Sequence, residues 1–332
     1  MRRGFTLIEM IFVIILLGIV GAISSEIVFN IYRNYATQRA VLDLDMKAKA
    51  ALEQIQAYLE RSIQPSVAVF DNGAGTYNAI REVQRGNEGN LTANVNNALV
   101  WIGKDIESLQ GTWDGTMNYP AVSGIANLDQ SLLVGANRAD INITFSDIMQ
   151  VDALQNAITG LLIEDPIESD NYRSALYFVH ADSNGTVEER FWWQPGNSFP
   201  YSLLPVQDLS DDVGTVAGQI NPADANISLA RQPEEFGELF YLTYSAYAVT
   251  RGPTIDNQFD LNLTWNFRPW NRETFQANGT SNLLVENITT FEVWSESVGG
   301  IIRIRICLSD DYIRNTLGDT QFEYCKETAV TR

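Results

Sequence analysis

The stretch from Met1 to about Phe29, MRRGFTLIEMIFVIILLGIVGAISSEIVF, constrains this chain more than any other. Two arginines and a glycine precede a long apolar run that holds one acid early, Glu9, and a second, Glu26, only near its far end. As a helix, Phe5 to Phe29 rises about 37 Å at roughly 1.5 Å per residue, enough to cross a hydrocarbon core about 30 Å thick. Arg2 and Arg3 favour insertion with the N-terminus on the cytoplasmic side. A secretory signal peptide has a shorter apolar region, about 7–15 residues, ending at a small-residue cleavage site. Here Gly18, Gly21 and Ala22 fall inside the run and read as helix positions. A plain anchor leaves the early acid unexplained. A buried core helix leaves Arg-Arg-Gly directly before Phe5 unexplained.

Arg2-Arg3-Gly4 is followed without a gap by Phe5-Thr6-Leu7-Ile8-Glu9. This run resembles the class III leader of the type IV prepilin family, which includes the pseudopilins of type II secretion. The resemblance implies that a prepilin peptidase/methyltransferase in the membrane cuts after Gly4 and methylates the new amino group on Phe5. It implies too that Glu9 helps place the subunit among other pilins in a helical filament, and that inner-membrane lipid holds the subunit until then. Elementary energetics agree: an acid near the apolar zone of a bilayer costs about 2.5–3.5 kcal/mol, so Glu9 needs a partner. Cleavage creates a positive amine one helical turn before it, on the same chain or a neighbour. The plainer alternative is that Glu9 snorkels to the interface.

Beyond the anchor the helical pattern continues with a changed face. Val41, Leu44, Ala48, Leu52, Ile55, Leu59 and Ile63 recur every three or four residues, one apolar stripe at helical period. The spacings Asp43–Lys47 and Asp45–Lys49 predict weak ion pairs on the other side. No Pro or Gly interrupts Ala22 to Gln64, and Pro65 marks the stop. The chain therefore divides into a leader at 1–4, a transmembrane helix at 5–29, its amphipathic continuation at 30–64, and a β-rich periplasmic or extracellular domain at 65–332.

Strands are expected at Ala98–Ile102 and Asp140–Phe145, with a short helix over Asp147–Leu162. Three hairpins are expected later: Ser174–His180 with Val187–Trp193, Leu239–Thr250 with Phe259–Phe267, and Leu283–Trp294 with Ile301–Leu308. A long helix followed by antiparallel strands is an α+β arrangement, with the helix packed on the sheet. The run Asn282 to Phe291, leading to Ile301–Ile306, is similar to a strand pair of the larger minor members of the same family. Those are the pseudopilin J type of type II secretion and the W-type minor pilins.

Composition narrows the function. The chain carries 41 acidic against 22 basic residues, a formal net charge of −19, which argues against binding nucleic acid through bulk charge. The 15 Phe, 13 Tyr and 7 Trp suit a sheet-rich domain with a real core. Catalysis has little to work with: His180 is the only histidine, no G-x-S-x-G elbow occurs, and no phosphate-cradling loop is present. A non-enzymatic subunit without a cofactor is expected, with an adhesive or ligand-binding tip protein as the rival. Calcium is the one cofactor whose ligand chemistry occurs, in three acidic loops: Asp182-Ser183-Asn184-Gly185 with Glu188, Asp208 with Asp211-Asp212, and Asp310-Asp311 with Asp319. None fits the twelve-residue calcium loop, and solvated turns are the simpler reading. Phe191-Trp192-Trp193, at strand spacing, reads as half core and half surface. Cys307 and Cys325 are the only cysteines. Outside the cytoplasm a disulfide between them is permitted; two buried thiols are the alternative.

Overall fold

The computed structural model describes residues 7–85, 90–92, 97–113, 115–116, 118–119, 122–134, 138–144, 154–155, 157–158, 172–179, 185–194, 202–210, 224–229, 238–255, 257–296, 300–310 and 323–331. Helix α1 (Leu7–Glu60) runs unbroken for 54 residues, about 81 Å at the usual rise. Its two halves live in different surroundings. From Leu7 to Tyr35 the large apolar side chains are exposed all round, whereas Leu44, Ala48, Ala51, Leu52, Ile55 and Leu59 are buried. A short 3-10 turn, Gln64–Ser66, with Pro65 near its start, then leads the chain away from the helix axis.

The main sheet has nine strands, and every pairing is antiparallel. Its spatial order is β17 (Tyr324–Val330), β16 (Ile302–Leu308), β15 (Thr280–Ser295), β14 (Gln258–Phe267), β13 (Ala246–Ile255), β4 (Ala98–Ile102), β1 (Ala68–Asp71), β2 (Thr76–Ala79). Strand β3 (Asn90–Thr92) pairs with β15 off that path. The lower half of α1 lies across β15, β16 and β17. A second sheet of six strands follows the order β12 (Phe240–Thr243), β9 (Ala175–Phe178), β10 (Leu203–Ser210), β11 (Asp224–Leu229), β8 (Arg138–Thr144), β7 (Ala126–Val134). A two-residue ribbon joins β5 (Thr112–Trp113) to β6 (Asn118–Tyr119).

The layers are helix, main sheet, second sheet. Strand β4 shows why. All five of its side chains are buried, because alternate residues serve different cores. Leu99 and Trp101 join the cluster under α1, with Ile55, Leu59, Val249 and Ile304. Ala98, Val100 and Ile102 face the other way, into a cluster with Leu176, Phe178, Leu203 and Leu242 of the second sheet. Burying each such aliphatic side chain stabilises the fold by about 1.5–3 kcal/mol.

The α+β class stands, and so do the strands at Ala98–Ile102, near 140–144, and the long pairs β13–β14 and β15–β16. Four expectations are corrected. Val187–Trp193 is no strand: Val187–Arg190 is a helical turn, opened by a capping box in which the Thr186 hydroxyl accepts from the Glu189 N–H and the Glu189 carboxylate accepts from the Thr186 N–H. Strand β9 pairs with β10 and β12 instead. Phe191, Trp192 and Trp193 are all buried, with their indole N–H groups donating to the Leu203 and Ser66 carbonyls at 2.8 and 3.1 Å. Leu239–Thr250 is broken at Tyr244–Ser245 into β12 and β13, which belong to different sheets. Asp45 does not pair with Lys49; Lys49 turns to Glu53 at 3.7 Å, and Asp45 reaches β17. Of the helix expected over Asp147–Leu162, only Leu154, Gln155, Ala157 and Ile158 lie among the described residues, and they are helical.

Candidate functional site

Three places hold the side chains of interest: the free half of α1, its attachment to β17, and a groove beside its base. Glu9 stands in the first turn of α1, exposed among exposed Leu7, Ile8, Met10, Ile11 and Phe12. No described residue covers this half of the helix, which is long and apolar enough to cross a membrane. Arg2, Arg3, Gly4 and Phe5 lie outside the described residues.

At the other end of the helix, the C-terminal strand is fastened to it. The Tyr324 hydroxyl and the Lys326 ammonium both donate to the Asp45 carboxylate, and the Thr328 hydroxyl donates to Gln56 at 2.9 Å. Hydrogen bonds from Lys326 and then Tyr324 hold the Asp45 carboxyl below the ordinary aspartate range. The same contacts push the Tyr324 phenol and the Lys326 ammonium up. Cys307 and Cys325 face each other in the β16–β17 register, with Cα atoms 4.0 Å apart, and are joined by a disulfide. The alternative of two buried thiols is thereby set aside.

Of the acidic loops, Asp182–Asn184, Asp211, Asp212, Asp311 and Asp319 lie outside the described residues, as does His180. Glu188 accepts from the Tyr77 N–H, Asp208 sits in β10 opposite Ser228, and Asp310 follows β16. Among the described residues, one grouping has metal-ligand types, Cys307, Glu323 and Cys325. Both of its sulfurs are in the disulfide.

Residues 1–25 match the prokaryotic N-terminal methylation motif. No curated protein and no solved structure matches the chain. The motif, read with an exposed apolar helix that begins inside it, supports a type IV pilin-like or pseudopilin subunit held in a membrane by its N-terminus. It points to a structural subunit processed by a prepilin peptidase and assembled with other pilins.

The groove was not anticipated from sequence. It lies between the last turns of α1 and strands β13, β14 and β15, encloses about 540 Å³, and is lined by Tyr58, Tyr247, Trp265, Gln54, Arg61 and Asn266 among others. Tyr247 stacks on Trp101 with ring centroids 5.9 Å apart and planes 10° from parallel, and Tyr58 leans on it at 5.2 Å. Gly103 makes room for this stack, since a Cβ there would stand 2.5 Å from the Tyr247 ring. Burial pushes the Tyr247 phenol up to about 12, so it stays neutral. Trp265 and Asn266 are neighbours in sequence yet line one groove. The register between β13 and β14 shifts there, and Asn266 takes a φ of 61°. Such a bulge re-aims a side chain that a regular strand would send to the opposite face. Asparagine tolerates the left-handed conformation better than other residues with a side chain, apart from aspartate.

Proposed function

We propose that this chain is a minor pilin or pseudopilin, a non-enzymatic filament subunit acting at the tip or in initiation of a type IV pilus or type II secretion pseudopilus. The observation that carries the reading is continuity. The matched segment at residues 1–25 runs directly into a 54-residue helix that is naked for its first half and packed on a folded domain for its second. In this reading the leader is 1–4, the membrane span 5–29, and the periplasmic domain follows the helix at 65–332. Gly4 and Phe5 are the cleavage and methylation positions, and Arg2 and Arg3 keep the leader cytoplasmic. The disulfide suits a domain outside the cytoplasm. A folded mass of about 270 residues on one helix repeats poorly along a close-packed fibre, which favours a terminal position over a shaft.

Mass spectrometry of the N-terminal peptide from the native host tests it. The expected mature terminus is Phe5 bearing one methyl on its amino group. An intact Met1, or a cut after Ala22, would remove the basis of the assignment.

A further inference from the structure

The groove at the base of α1 has a lining that neither the anchor nor the sheet requires. The Gln54 and Asn266 amides and the Arg61 guanidinium form no hydrogen bond or ion pair with any described residue, and the Asn266 Oδ1 is buried without a donor. A left-handed asparagine on a bulge, an unpaired buried oxygen and a braced aromatic stack therefore meet at one place.

We propose that this groove binds a neutral oligosaccharide. A pyranose ring has one face of C–H groups and an edge of hydroxyls that both donate and accept. The C–H face suits the electron-rich faces of Tyr58 and Trp265, with Tyr247 bracing Tyr58 from beneath. The hydroxyls suit the side-chain amides: Gln54 offers a carbonyl acceptor and two N–H donors, and Asn266, whose Oδ1 is buried, offers its N–H donors. Arg61 and Glu107, of opposite sign, both line the groove, so it selects no charged ligand. The volume falls within the range of about 300–1,000 Å³ typical of small-ligand sites and leaves room for a short chain of sugars. Other occupants fit worse. A lipid tail or an apolar peptide anchor would leave every amide unpaired. An added β-strand needs a free sheet edge, and β13, β14 and β15 each already have a neighbour on both sides. The inference stands on the groove alone and survives if the N-terminus proves unprocessed.

The test is calorimetry and tryptophan fluorescence on the full chain in phospholipid nanodiscs, avoiding detergents with sugar headgroups. Maltotetraose, cellotetraose and chitotetraose are the probes. At least one is expected to bind with a dissociation constant of about 0.1–1 mM, the range of a modest open site. Trp265→Ala should weaken that binding at least about tenfold by removing a stacking face. Asn266→Gly keeps the left-handed backbone while deleting the amide and should weaken it in the same direction, so the idea remains testable if Trp265→Ala misfolds. Ile255→Ala, at the far end of β13 and exposed, should bind as the unmodified chain does. Absence of binding by all three sugars overturns the proposal, as does binding that both groove variants leave unchanged. If those variants instead release a co-purifying pilin-like subunit while no sugar binds, the groove is a subunit contact and the proposal fails.

Discussion

Asp45 is a single carboxylate that ties residue 45 to a strand about 280 positions later in the chain. A local reading pairs it with Lys49, four residues on, because that spacing faces along a helix. It takes Lys326 and Tyr324 because β17 lies against this face of α1 and brings two donors at once. The pH dependence follows from the lowered Asp45 value. A carboxyl whose folded pKa is depressed contributes stability above its unfolded value, near 3.8, and loses it as pH falls through the folded value. Asp105 works in the opposite sense: burial pushes its carboxyl up, although Ser108 and Gln155 donate to it. Its penalty is absent below its own unfolded value and grows as pH rises toward the folded one. A comparison at one site separates the two. Asp45→Asn is expected to lower the melting temperature and the amide protection of β17 at pH 7, with the gap closing as pH falls through the lowered Asp45 value. A gap of the same size on both sides of that value would mean that the contact acts through shape and not through charge.

At the scale of elements, what could be read from sequence was whatever has a local period. The stripe Leu44, Ala48, Leu52, Ile55, Leu59 announces the packed half of α1, and each member is buried. Ile55 is fully enclosed between the helix and the main sheet. Ile55→Ala should therefore cost about 2–5 kcal/mol by leaving a cavity, while Leu42→Ala on the exposed face should stay within about 0.5 kcal/mol. Denaturant midpoints of the two variants decide it; equal shifts would mean that the helix does not use this stripe. The strands β13, β14, β15 and β16 were legible by alternation for the same reason, and β4 as a short continuous apolar run, the mark of a strand buried on both faces. Three features were hidden. The turn at Val187–Arg190 looks like a strand by composition, and the signal that identifies it is Thr186-x-x-Glu189, a capping box. The burial of Phe191–Trp193 depends on distant stretches of chain: Leu203 of the second sheet accepts from Trp192, and Tyr77 of the main sheet stacks on Trp193. The groove depends on a register shift between β13 and β14 and on the space over Gly103, both consequences of pairing that no window of neighbouring residues contains.

Taken whole, the molecule is a folded domain carrying a bare apolar rod. An exposed apolar surface of that length cannot remain in water; lipid covers it first, and in the proposed reading neighbouring anchor helices cover it after assembly. Glu9 is the position at which these two environments differ. In lipid its carboxylate is a liability of about 2.5–3.5 kcal/mol. In the proposed reading it gains the N-terminal amine of a neighbour once anchors pack, where charges at close range attract more strongly than in water. Glu9→Leu should therefore leave membrane retention at least as strong as before, and leader cleavage should proceed because Gly4 and Phe5 are untouched. What should be lost is the protein in sheared filament fractions and in pull-downs with other pilin-like subunits. Glu9→Gln preserves shape and some hydrogen bonding without the charge, so it should fall between the two. If Glu9→Leu enters filaments as well as the unmodified chain, this acid is no docking group here, and the domain, not the anchor, directs assembly.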